Sequence, residues 1–96
     1  MITSKQKRFL RALAHDLKPV FQIGKDGIND NLINDVRNYL NKHEIMKISV
    51  LQNCPDDKED IGRSFEECGF ELVQIIGSTI ILYKMSKTIK NAIVLP

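Results

Sequence analysis

The tetrapeptide Gly24-Lys25-Asp26-Gly27 and the upstream cations Lys5, Lys7, Arg8 and Arg11 are the residues in this chain best suited to holding an anion. Glycine has no Cβ, so a phosphate or a sugar can approach its backbone closely, and it accepts the left-handed conformation of tight turns. A glycine turn that opens onto a helix aims backbone N–H groups and the positive end of the helix dipole at a ligand. Lys25 adds a mobile charge at the tip, whereas Asp26 and Asp30 place negative charge where a phosphate would sit. With ordinary glycine content, roughly 0.4 copies of G-x-x-G are expected by chance in a chain this long. The motif alone therefore also reads as a plain strand-to-helix connection.

Other chemistry is poorly supported. The acidic run Asp56-Asp57-Lys58-Glu59-Asp60 lacks the alternating pattern of a calcium loop, and its place after Pro55 suits the first turn of a helix. His15 and His43 stand apart from any H-E-x-x-H pattern, and Cys54 and Cys68 lack metal-ligand spacing. No metal site and no cofactor is expected. No G-x-S-x-G, phosphate-binding Walker loop or dinucleotide fingerprint occurs, so an enzyme is not expected.

The elements that position these residues follow from periodicity. Residues 4–17 read as a helix capped by Ser4, with Phe9, Leu10, Leu13, Ala14 and Leu17 on one side and Lys7, Arg8, Arg11 and Lys18 on the other. Pro19 ends it. Residues 20–23 form a short strand, 24–27 a turn, and Asn29 caps a second helix with Leu32, Ile33, Val36, Tyr39 and Leu40 inward. Residues 45–51 alternate as a strand, with Met46, Ile48 and Val50 on one face. A third helix starts at Pro55, buries Ile61, Phe65 and Cys68, and closes at Gly69. Strands near 71–76 and 79–84 flank the Gly77-Ser78 turn, and residues 85–96 read as a loosely held tail. The fold class is α+β: an α-β-α-β-α-β-β order giving a four-stranded mixed sheet packed with three helices.

Ninety-six residues make one domain, and 43% hydrophobic with 27% charged is an ordinary globular balance. The net charge of +2 conceals polarity along the chain. Residues 1–27 carry six cations against two acids, residues 56–71 carry seven acids against two cations, and Lys84, Lys87 and Lys90 follow. Such segregation orients a polyanion if the basic parts meet in space. A helix of about a dozen residues separates Cys54 from Cys68 by on the order of 20 Å, so reduced thiols and a cytoplasmic location are expected. The apolar stretches 9–17 and 72–83 are interrupted by polar residues and read neither as a secretory signal nor as a membrane span.

Several linked segments resemble the CRM family (chloroplast RNA splicing and ribosome maturation domain) in its stand-alone bacterial YhbY-type form. They are Thr3-Ser4-Lys5-Gln6-Lys7-Arg8-Phe9-Leu10-Arg11, Leu17-Lys18-Pro19-Val20, Gln22-Ile23-Gly24-Lys25-Asp26-Gly27-Ile28, Val50-Leu51-Gln52-Asn53-Cys54 and the stretch from Gln74 to Lys84. The resemblance implies a fold like the C-terminal domain of translation initiation factor three. It also implies RNA binding, with ribosomal RNA of the large-subunit precursor as the partner. The family's loop residues carry over to Gly24, Lys25, Asp26 and Gly27, and its basic helix surface to Lys5, Lys7, Arg8 and Arg11. An RNA-binding ribosome assembly factor, acting as a monomer, is thus the leading expectation. KH-type domains clamp a nucleotide backbone with a comparable loop. The alternative is a protein-interaction module whose acidic third helix docks a ribosomal protein.

Overall fold

The last strand of the chain decides the architecture, because Ile80, Ile81, Leu82 and Tyr83 are apolar at four successive positions and neither of its faces tolerates water. The computed structural model describes residues 2–86 and 92–96. Its elements are α1 (Ser4–Ala14), β1 (Pro19–Ile23), α2 (Asp30–His43), β2 (Ile45–Val50), α3 (Lys58–Glu67), β3 (Glu71–Ile76) and β4 (Thr79–Tyr83). They form one mixed sheet in the order β1-β2-β4-β3. β1 and β2 are parallel, with Phe21 opposite Ile48, and β4 runs antiparallel to both β2 and β3. All four apolar residues of β4 are buried. β1 opens with proline, which lacks a ladder donor and suits an edge.

Each sheet face has its own core. Ile23, Met46, Ile48, Ile80 and Leu82 pack with Val36 and Leu40 of α2 and with Ile61 and Phe65 of α3. Ile45, Val73, Ile81 and Tyr83 pack with Leu10 and Ala14 of α1 on the other face. The alternation expected for 45–51 holds, since Val50 joins Met46 and Ile48 against the first core. The inward residues expected for the second and third helices all pack there too, Cys68 included. Gly69 and Gly77 adopt positive φ at 94° and 56°, as their turns require. Cys54 and Cys68 are free thiols.

Four expectations about the helices are corrected. Thr3, not Ser4, caps α1: its hydroxyl accepts from the Gln6 N–H at 3.1 Å, and the Gln6 side chain accepts from the Thr3 N–H at 2.9 Å. This reciprocal box needs an acceptor three residues after the cap; Gln6 supplies one, whereas a Ser4 cap would find Lys7. α1 also ends at Ala14 rather than residue 17, with the Leu17 N–H reaching back to the Ala14 carbonyl at 3.0 Å to tighten the last turn. Its buried strip is narrower than the apolar arc. Leu10 and Ala14 are fully covered, while Phe9, Leu13 and Leu17 stay 36–44% exposed and Lys7 and Arg11 are half-buried. The helix is thus turned about its axis toward its basic flank, whose long aliphatic stems tolerate partial burial. Finally, α3 begins at Lys58 with Asp57 at its cap, leaving Pro55 in the preceding loop and Glu59 and Asp60 in the first turn.

Of the tail at 85–96, residues 87–91 lie outside the described residues. The described parts converge on Glu44, which closes α2 at φ 66° and is fully buried. Its carboxylate accepts from the N–H of Ser86 at 2.7 Å and of Ile93 at 2.6 Å, and its carbonyl accepts from the Lys84 N–H at 2.9 Å. Ile93 and Leu95 pack against the α1 core, and Gln6 donates to the Pro96 carbonyl at 3.2 Å.

A left-handed conformation costs a non-glycine residue roughly 1–2 kcal/mol, whereas each hydrogen bond to a charged group contributes about 1.5–3 kcal/mol. The two carboxylate bonds outweigh the strain. Glu44→Gly, which relieves the strain but deletes both bonds, should therefore lose about 1–5 kcal/mol in urea unfolding. Stability at or above wild type would mean that strain dominates. Burial, and then the charges of Glu44 and Glu71, hold the Tyr83 phenol above its ordinary value. The folded state thus keeps this proton to higher pH than the unfolded chain. Its contribution is complete below about pH 10 and is lost as pH rises through the folded value. Tyr83→Phe should flatten the alkaline decline in stability, and an identical decline would assign it to other groups.

Candidate nucleic-acid interface

β1 and β2 run side by side to the same end of the sheet, so the glycine turn after β1 meets the loop after β2. The Leu51 N–H donates to the Ile23 carbonyl at 2.8 Å and the Cys54 N–H to the Leu51 carbonyl at 3.1 Å, which folds the second loop beneath the first. The β3–β4 turn joins them at this end: the Val50 N–H donates to the Ser78 carbonyl at 2.7 Å, and Lys58 Nζ donates to the Gly77 carbonyl at 2.5 Å.

Within the turn, the Gly27 N–H donates to the Gly24 carbonyl at 3.0 Å, so this N–H is consumed internally. The N–H groups of Lys25 and Asp26 enter no hydrogen bond among the described residues. Lys25 and Asp26 are exposed at the tip, Gly24 is half-buried and Gly27 is buried. Asn29 caps α2 as expected, its side chain accepting from the Leu32 N–H at 2.8 Å. The turn borders a cavity of about 470 Å³ whose polar lining includes Gln22, Lys25, Asn29 and Asn53.

Two features were not drawn from the sequence. Asn53 enters the cavity, although the local pattern marks it only as a loop residue and nothing in it shows which loop it would face. Asp56 stands against Gly27, its carboxylate 2.9 Å from where a Cβ on Gly27 would lie, with Pro55 Cγ at 3.7 Å. Negative charge thus reaches the turn from Asp56 as well as from Asp26. The cations of α1 are carried on the opposite face of the sheet from α2. Lys5 and Arg8 are exposed, while Lys7 and Arg11 lie half-buried beside Leu10 and Ala14, so the four do not share one fully open face. Among the described residues, no group of three or more His, Cys, Asp or Glu side chains could hold a metal ion. No described helix is long and apolar enough to cross a membrane.

The two loop glycines differ in what they require. Gly27 has φ 61°, whereas a Cβ on Gly24 would meet the Asn53 side-chain oxygen at 3.3 Å with no left-handed penalty. Gly27→Ala should cost about 1–2 kcal/mol, seen in thermal melts as a Tm fall of roughly 4–15 °C. Gly24→Ala should stay within about 0.5 kcal/mol of wild type. Equal Tm values for the two variants would contradict this assignment.

Residues 2–84 match the family model described as the CRS1 / YhbY (CRM) domain. The chain is 52% identical over 92 residues to the "Probable RNA-binding protein YqeI" of Bacillus subtilis (strain 168), covering 95% of this chain and 96% of that protein. It is 34% identical over 90 residues to a Haemophilus influenzae protein named "RNA-binding protein", covering 93% and 91%. The solution structure of the hypothetical protein SAV1595 from Staphylococcus aureus superposes with a TM-score of 0.82 at 48% identity, over 100% of both chains. With the α-β-α-β-α-β-β fold and the glycine turn described above, these matches establish that the chain belongs to the CRS1/YhbY (CRM) domain family.

Proposed function

We propose that this chain is an RNA-binding module of the cytoplasm, and not an enzyme, that contacts ribosomal RNA during assembly of the large ribosomal subunit. The observation that carries the RNA-binding reading is the glycine turn. It exposes Lys25 and Asp26, leaves their two backbone N–H groups without a hydrogen bond among the described residues, and leads into the cap of α2, in a family whose relatives are named for RNA binding. Backbone donors at a helix start, with a lysine beside them, suit a phosphate.

The division of labour follows from charge. Asp26 and Asp56 disfavour a phosphate seated against Gly27, so the sugar–phosphate chain crosses the tip at Lys25. Lys5 and Arg8, exposed on α1, supply longer-range attraction, and Lys7 and Arg11 add to the same field from their half-buried positions. Backbone contacts of this kind carry little sequence information and release counterions, so affinity falls steeply with salt.

The check is a salt titration of binding to a large-subunit ribosomal RNA fragment. Lys25→Ala should weaken binding and reduce the slope of log K against log salt by roughly 0.7–0.9, the value of one lost phosphate contact. An unchanged slope in a folded variant would remove Lys25 from the interface. In cells, crosslinked reads should concentrate in large-subunit ribosomal RNA or its precursor. Reads spread evenly over many transcripts would withdraw the assembly role and leave general RNA binding.

A further inference from the structure

The seam between the edge strand β1 and helix α2 holds a second cavity, also of about 470 Å³, beyond the one at the glycine turn. It is lined by Phe21, Asp35, Asn38, Tyr39, Lys42 and His43. The two cavities are neighbours on both elements. Gln22 lines the first and Phe21 the second; on α2, Leu32 lines the first and Asp35 and Tyr39 the second. Leu32 and Tyr39 are separated by about 10 Å along the helix axis.

Ring geometry marks the second cavity. Tyr39 stacks on His43 with centroids 4.2 Å apart and planes inclined by 29°, and Phe21 meets Tyr39 edge-on at 6.1 Å. Phe65, Phe70 and Tyr83 are spent in the cores, and Phe9 lies on the far side of the sheet. Phe21 and Tyr39 are half-buried and His43 is exposed, so aromatic surface gathers at this seam. Lys42 is exposed beside the rings, while Asp35 supplies an acceptor-only carboxylate and Asn38 an amide that both donates and accepts.

We propose that this cavity is a nucleobase site for the same RNA that crosses the glycine turn. An unpaired base stacks on the Tyr39–His43 platform, and Lys42 meets the adjoining phosphate. The Asp35 carboxylate repels phosphate, which leaves the base edge to face it and Asn38. Bases inside a duplex are already stacked, so the site selects single-stranded RNA. This inference rests on the RNA-binding reading above.

The test uses a short single-stranded RNA carrying 2-aminopurine, whose fluorescence is quenched by stacking, and a duplex of the same sequence. Wild-type protein should quench the single strand. His43→Ala, at an exposed position, and Tyr39→Leu should lower single-strand affinity roughly tenfold each, in line with the loss of one stacked base. Tyr39→Phe should retain both affinity and quenching, which separates loss of the ring from loss of stability. The duplex should show no dependence on these residues. Lys25→Ala should weaken binding while leaving the quench at saturation intact. Wild-type affinity in both His43→Ala and Tyr39→Leu, with no quenching, overturns this site and leaves the glycine-turn reading standing. Failure of the wild-type protein to bind either RNA overturns both.

Discussion

A strand with apolar side chains on both faces has to lie inside its sheet, and Thr79–Tyr83 is such a strand. Fully burying an apolar side chain of this size contributes about 1.5–3 kcal/mol, so an edge position for β4 would forfeit several such contributions. With β4 inside, β2 and β3 become its antiparallel partners, and β1 is left to extend the sheet beyond β2. Both cores then form around the same strand, Ile80 and Leu82 facing α2 and α3, Ile81 and Tyr83 facing α1. β1 takes the edge beyond β2, and the turn that follows it exposes Lys25 and Asp26.

The turn is positioned as much by its neighbour as by its own sequence. Parallel pairing of β1 with β2 carries two loops to one end, where the second backs the first through the Leu51–Ile23 hydrogen bond and the contact of Asp56 and Pro55 with Gly27. This packing brings the Asp56 carboxylate close to the turn, which spends the Gly27 N–H on its own Gly24 carbonyl. The tip keeps an exposed Lys25, two backbone N–H groups without a hydrogen bond among the described residues, and a cavity lined by Gln22, Asn29 and Asn53.

At the opposite end of the sheet, the buried Glu44 closes α2, takes the Lys84 N–H after β4 on its backbone carbonyl, and takes the N–H groups of Ser86 and Ile93 on its carboxylate. A buried carboxylate needs hydrogen-bond partners, and here one backbone N–H meets each of its oxygens. The same residues cover the start of α1, where Gln6 serves both the capping box and the Pro96 carbonyl. The cationic helix is thereby held against its face of the sheet at both its cap and its core strip.

Element order, the inner faces of α2 and α3, the β2 alternation, the Asn29 cap and the glycine closures at 69 and 77 were all legible in the chain, because each rests on interactions within a few residues of sequence. The family was legible for a related reason: its segments are local patterns in a given order. The cap and end of α1, and its rotation, were misread because an apolar arc states which side chains favour burial and not how much sheet is there to cover them. Leu10 and Ala14 found cover, whereas Phe9 and Leu13 did not. The sheet order, the approach of Asp56 and Asn53 to the glycine turn, the pairing of Tyr39 with His43 and Phe21, and the junction at Glu44 belong to the tertiary structure alone. Apart from Tyr39 and His43, which share one helix at i,i+4 spacing, each joins residues far apart in the chain or on different elements, and periodicity carries no information about which elements become neighbours.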